Sequence, residues 1–378
     1  IIFKMKKMVK QFIAAALLVL GATMSVAAGE NIPRPEYPRP QFERTDWVNL
    51  NGKWSFELDL NHVGLEKGYA ESKGFQGTIL VPFSPESELS GVGHTDFVTG
   101  IWYHRTIDVP ASWEGKRVLL NFGAVYYQSD VFVDGKFVGR HFGGSSSFSY
   151  DITDFAAPGT THDLVVYAQS DLRGMRQPAG KQSLVLGSHD CEYTRTTGIW
   201  QTVWMEPVSE NGLKSVQVNT DIDQKQLVVR PLFYREGASG LRITLTDPTS
   251  PKKPVAQKTV SAANSSVAVL PLKTVKTWSP ENPFLYDLSY QVIDKDGNVL
   301  DDIKSYVGMR KVHIEGNRVY LNNVPYYQRL VLDQGYYPQS QWTAPSDEAL
   351  RHDIELSKSA GFNGARLHQK VFEERFHY

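Results

Sequence analysis

The stretch GFNGARLHQKVFEERFHY, residues 361–378, decides how the rest of the chain is read. Gly361 stops a helix, FNGARLH (362–368) reads as a strand, and the residues after it read as a loop and the opening of another helix. Immediately upstream lies the clearest helix in the sequence, over 346–360. Ser346 follows Pro345 and is placed to cap it, Asp347 and Glu348 occupy the first turn where the macrodipole favours anions, and Leu350 and Ile354 share one face. Before the helix, residues 326–332 read as a strand. Strand, helix and strand in that order form a βαβ unit, from which parallel sheets and (β/α)8 barrels are built. One unit supplies two strands of the eight a barrel closes with, so the reading expects most of such a barrel to follow residue 378.

Working back toward the N-terminus, a different pattern takes over. A short hairpin, VHIEGNRVYLNNVPYY, precedes the βαβ unit, and residues 209–311 carry strand-like runs at SVQVNT, LVVRPLF, LRITLT, VAVLPL and LYDLSYQVI. Within the last run Tyr286, Leu288, Tyr290 and Val292 alternate with polar residues, which suits an immunoglobulin-like sandwich. The three-proline stretch DPTSPKKP is expected as an exposed connection. Residues 47–208 alternate in the same way. In KWSFELDL the apolar Trp54, Phe56, Leu58 and Leu60 fall on one side, and Asp134-Gly135 in VFVDGKFV predicts a two-residue hairpin turn. A jelly-roll sandwich is the natural closure for this block. The fold class expected is therefore mainly β: a jelly-roll sandwich over 29–208, an immunoglobulin-like sandwich over 209–311, and the first βαβ unit of an incomplete barrel over 312–378.

Residues 1–28 have the character of a secretory signal peptide. Lys4, Lys6, Lys7 and Lys10 precede the apolar run FIAAALLVLGATMSVAA, and Val26 with Ala28 offers a cleavage site. The run is shorter than the roughly 20 apolar residues a membrane span needs. A periplasmic or secreted protein, free of the membrane after cleavage, is the expectation. The whole chain carries 40 basic and 41 acidic side chains, so no strong field gathers nucleic acid. With Cys191 as the single cysteine, no intrachain disulfide can form, and its surroundings carry no recognisable nucleophilic signature. His189 and Asp190 lack a third ligand at useful spacing, and no metal site is assigned.

LNGKWSFEL, TGIWYHRTIDVP, SDVFVDGKFVGRHFGG, TTGIWQTVWMEPV, WSPENPFLYDL, VGMRKVHIEGNRVYLNNVPYY and GFNGARLH occur in an order and spacing that resemble the N-terminal part of a family 2 glycoside hydrolase. That group contains β-galactosidases, β-glucuronidases and β-mannosidases, and the similarity runs from about residue 45 to the end. The resemblance implies hydrolysis of a terminal β-linked sugar with retention, most like a β-galactosidase, with a carbohydrate substrate and no organic cofactor. It leaves open a homo-oligomer of the full-length enzyme. It also implies that both catalytic glutamates lie on later barrel strands, so no catalytic residue is assigned in this chain and the chain alone is expected to be inactive. Glu373 and Glu374 are read instead as a solvated helix face.

Six residues are candidates for contact with the sugar. Asp333 and Gln334 end the first barrel strand, while Arg366, His368 and Gln369 end the second, where barrel enzymes place their chemistry. Arg366 matches the arginine of the family's second-strand signature, whose fork would hold the nucleophilic carboxylate. After it, HQKV stands where the large β-galactosidases have SHYP, which weakens the case for galactose. Asp171 in QSDLRG matches a first-domain aspartate that accepts hydrogen bonds from sugar hydroxyls, with a turn-capping role as the alternative. Trp102 and Trp200, each in a TGIW motif, are read as packing residues. A β-glucuronidase, a β-mannosidase or a non-catalytic carbohydrate-binding sandwich protein are the competing readings.

Overall fold

The structure is a computed structural model that describes residues 32–378, so the expected signal peptide lies outside the described residues. Two sheets enclose the first core. One has six strands in the order Gly77–Val81, Gly52–Leu58, Gly100–Asp108, Thr161–Gln169, Gln128–Val133, Lys136–Phe142. The other has four, in the order Phe148–Asp151, Arg117–Phe122, Val203–Val208, Val48–Asn49. Trp54, Tyr103 and Val131 from the first sheet pack with Leu120, Phe122 and Met205 from the second. Alternation along each strand is what sends these residues to a common interior. Asp134 and Gly135 take φ of 48° and 76° at the expected hairpin turn.

One detail departs from the alternation in KWSFELDL. The strand stops at Leu58, Leu60 is exposed and Asp59 is buried instead. Asp59 accepts hydrogen bonds from the Val63 and Gly64 amides and from Trp102 Nε1, at 2.9, 2.8 and 2.9 Å. Three donors converging on one carboxylate hold its pKa below the ordinary value although burial opposes this. A turn centred on a carboxylate thus replaces the last step of the strand.

The second sandwich pairs a five-stranded sheet with a three-stranded one, Leu213–Asp221, Gln226–Phe233, Ala268–Pro271. Tyr286, Leu288, Tyr290 and Val292 face its core as the alternation required. Two features extend the sequence reading. Pro254–Val260, beginning at the last proline of the proline-rich connection, forms an edge strand beside Gly240–Thr246. Residues 32–46, a lead-in with prolines at 33, 35, 38 and 40, fall in the block assigned to the first sandwich, but their strand Glu43–Arg44 adds instead to the second by pairing with Val299–Val307.

Arg44 explains that crossing. Its guanidinium grips Asp301 through two hydrogen bonds of 2.9 Å, donates to Glu206 Oε1 at 3.1 Å and to the Leu213 carbonyl at 2.7 Å. Glu206 belongs to the last strand of the first sandwich, and Tyr37 donates to its other oxygen at 2.6 Å. Burial opposes the charge on Arg44, but the hydrogen bonds and charge of Asp301 together with Glu206 outweigh it and hold the group protonated.

The remaining residues form a small antiparallel sheet, Val312–Glu315, Arg318–Leu321, Val324–Pro325, followed by the expected βαβ order. Leu330–Asp333 and Gly364–Leu367 run parallel, with helix Asp347–Ser359 between them in sequence. Ser346 caps the helix by accepting from the Ala349 amide, and Gly361 takes φ of 89° at its end. Replacing Arg44 by methionine leaves Asp301 and Glu206 buried without their cation. The expected loss is about 3–5 kcal/mol, read as a shift in the urea unfolding midpoint. A shift below about 1 kcal/mol contradicts the central role given to this cluster.

Candidate functional site

Five of the six candidate residues gather at one end of the parallel pair. The His368 amide donates to the Asp333 carbonyl at 2.9 Å, carrying the ladder one step past the strands. The Asp333 side chain accepts from the Gly335 amide at 2.8 Å. Its carboxyl is pushed above the ordinary value by burial and by the nearby charge of Asp353, with Gly335 and Lys370 acting in the other direction. Gln334 Oε1 and His368 Nδ1 are enclosed without a protein partner. Partial desolvation, with Arg366 and Lys181 nearby, holds His368 below the ordinary imidazole value.

Arg366 pairs in register with Leu332, so the two share a face of the sheet with Leu330. Leu330 and Leu332 are 45% and 46% exposed, and Arg366 is exposed beside them. Its fork is therefore available on this face.

Asp171 lies elsewhere. It caps a short 3₁₀ turn, accepting from the Gly174 amide at 3.0 Å, and lines a cleft with Phe97, Arg173 and Arg195. The later part of its loop does reach the strand ends. Gly180 sits so close to them that an added Cβ would lie 3.2 Å from the Gln369 carbonyl oxygen, and Tyr193 stacks on Tyr336 at 4.1 Å. The loop and the strand ends form one neighbourhood, with Asp171 on the loop's outer part.

The residue that sequence reasoning missed is Lys370. Its Nζ lies 4.9–5.5 Å from the ring centres of Phe372, Trp342, Tyr336 and Trp200, and it donates to the Gly335 carbonyl. Gly335 has to be glycine: a Cβ there would meet the Phe372 ring at 2.5 Å and Lys370 Cε at 2.9 Å. Each ring offers an ammonium about 0.5–2 kcal/mol of attraction. An ammonium stripped of water needs three acceptors, and this one has a single carbonyl. Desolvation wins, and the Lys370 amine is lowered to about 7 despite the charges of Glu373 and Asp333. The signal available in sequence was the departure at HQKV, which was weighed only as an argument about the sugar.

Glu373 corrects another expectation. It is not on a solvated face: both its oxygens accept from Arg34 of the lead-in at 2.9 Å, and Arg34 is itself buried. Glu374 remains partly exposed, 3.9 Å from Arg39. Asp347 joins the group through Arg34 and Arg375, so the start of the helix and the end of the chain are tied to the lead-in. Trp102 is a packing residue, stacked 4.2 Å from Tyr167, whereas Trp200 packs and also walls the Lys370 enclosure.

Comparison with known proteins agrees with this architecture. The pattern of the sugar binding domain of glycosyl hydrolases family 2 matches residues 47–205, and a second pattern of glycosyl hydrolases family 2 matches 202–310. The chain belongs to this family. It is 25% identical over 292 residues to a β-glucuronidase of Paenibacillus borealis, covering 74% of this chain and 48% of that protein. It is 26% identical over 275 residues to a β-galactosidase of Thermoanaerobacter pseudethanolicus, covering 70% of this chain and 36% of that one. Among solved structures, the β-glucuronidase of Ruminococcus gnavus superposes with a TM-score of 0.76 at 22% identity, covering 91% of this chain and 57% of that chain. The chain thus spans about half or less of the curated relatives it matches.

The enclosed amine gives a pH dependence with a definite sign. The folded chain releases the Lys370 proton near pH 7, whereas the unfolded chain holds it to about 10.5. Between these values unfolding takes up a proton, so stability rises with pH from about 7 to about 10. Lys370→Met should flatten that rise and raise the melting temperature at pH 6–7. An unchanged pH profile would show that the amine is solvated in the folded chain.

Proposed function

We propose that this chain is part of a β-glycosidase that releases terminal β-linked sugars with retention of configuration, working in the periplasm or outside the cell. The observation that carries the reading is the convergence of Asp333, Gln334, His368 and Gln369 at the C-terminal end of a parallel strand pair, with a loop of the first sandwich packed against them. Barrel enzymes assemble their sites from that end of the strands. In this reading the parallel pair opens a (β/α)8 barrel, and Arg366 on the uncovered face orients the carboxylate that attacks the sugar. Retaining hydrolysis uses two carboxyl groups about 5–5.5 Å apart, and neither role is assigned to a residue of this chain. The rest of the barrel would supply them.

A β-galactoside is the first substrate reading, on the match at Asp171. A β-glucuronide is the second, and relatives with that name favour it. A non-catalytic sugar-binding protein is the third reading, and it differs from the others in turning over no glycoside in any form.

Nitrophenyl β-galactoside, β-glucuronide and β-mannoside separate these readings. The 378-residue chain alone should turn over none of them, and a form extended to the length of the relatives should hydrolyse one with retention, seen by following the anomeric proton. In that extended form Arg366→Ala should lower kcat about 100-fold by loosening the attacking group. Turnover that tracks the pure 378-residue chain, or an extended form inert toward all three, counts against the proposal.

A further inference from the structure

Each of the two parallel strands ends in a turn with left-handed backbone. After Leu330–Asp333 the turn passes through Gly335 at φ of 59°, and after Gly364–Leu367 it passes through Gln369 at φ of 58°. A residue with a side chain seldom adopts the second conformation, and it persists where the surroundings hold it. One backbone bond joins the turns at their root, from the His368 amide to the Asp333 carbonyl at 2.9 Å. Farther out, one side chain crosses between them. Lys370, next to Gln369 in the second turn, donates to the Gly335 carbonyl in the first. Among the described residues, no other side chain hydrogen-bonds from one turn to the other.

This tie acts on the groups assigned to the sugar. The Gly335 amide fixes one Asp333 oxygen at 2.8 Å, and Gln334 lies between those two residues. Gln334 Oε1 and His368 Nδ1, one from each turn, are enclosed without a protein partner. Buried polar atoms left unpaired are costly, and hydroxyl groups arriving between the turns would satisfy both. That requires the turns to keep a fixed spacing before anything binds. Lys370 is suited to the task because it has nowhere else to go. The rings of Phe372, Trp342, Tyr336 and Trp200 surround its amine, and swinging it out would leave their enclosure empty.

We infer that Lys370 is a positioning residue for the sugar. It locks the turn bearing Asp333 and Gln334 to the turn bearing His368 and Gln369, and so sets the spacing of the groups that grip hydroxyls. The inference rests on the glycosidase reading for what is gripped, whereas the tie between the turns is independent of it.

Lys370→Met keeps the packing inside the rings and removes the donor. Amide hydrogen exchange of the purified 378-residue chain, read by mass spectrometry on the peptide around Gly335, should be at least about tenfold faster in this variant. Because its melting temperature is expected to rise at pH 6–7, global unfolding does not account for the change. Lys370→Ala should exchange as fast, and about 50 mM propylammonium, the fragment that this variant lacks, should restore slow exchange by entering the ring-lined space. In the extended form, Lys370→Met should raise KM about tenfold and change kcat less than about threefold, as expected for groups that hold the sugar in ground and transition states alike. Unchanged exchange at Gly335 overturns the tie whatever the activity. Faster exchange with an unchanged KM overturns the role toward the sugar and leaves the glycosidase reading standing. An extended form inert toward every glycoside removes that reading and the sugar with it, and exchange then decides the tie alone.

Discussion

The arrangement depends on the two arginines of the lead-in and the carboxylates that receive them. Arg44 joins Glu206 of the first sandwich to Asp301 of the second, and Arg34 joins Glu373 and Asp347 of the βαβ region. Each charge is largely removed from water, so each is tolerable only while its partners stay in place. Any rotation of one sandwich against the other would leave an unpaired buried ion costing several kcal/mol. The lead-in therefore fixes the geometry in which a sandwich loop meets the strand ends. The docking is reinforced by neutral bonds, such as the one from the Thr343 hydroxyl to the Trp200 carbonyl at 2.6 Å.

At the strand ends, burial is set against charge. Lys370 is walled by rings from both the first sandwich and the βαβ region, so the enclosure exists only when the two are docked. The same docking brings Gly180 against Gln369 and Tyr193 onto Tyr336. An apolar box around an amine and a polar rim of Asp333, Gln334 and His368 thus adjoin, and each shifts the proton affinity of the other through Asp333.

Much of this was legible in the residues. Period-two alternation located the sandwich strands, Asp134-Gly135 marked a turn, and Ser346 with Gly361 bounded the helix, because these signals are local and act within a few residues. What escaped the reading was long-range. Nothing near Arg44 in sequence says that its partners lie at 206 and 301, and nothing near Glu373 points to residue 34. The alternation in KWSFELDL places Asp59 opposite the apolar side, and its burial could not be read there because its three donors arise from a turn and from Trp102, 43 residues away. Lys370 received no reading of its own because its enclosure is assembled from residues 200, 336, 342 and 372.

The lead-in also constrains the order of events during synthesis. Arg34 and Arg44 are made early, yet their partners are separated from them by 339 and 257 positions. A ribosome adding roughly 5–20 residues each second leaves such a segment unanchored for many seconds. The first sandwich can close around its own core in that interval, and the strap fastens afterwards. Residues made well before their partners are therefore among the last to reach their final place.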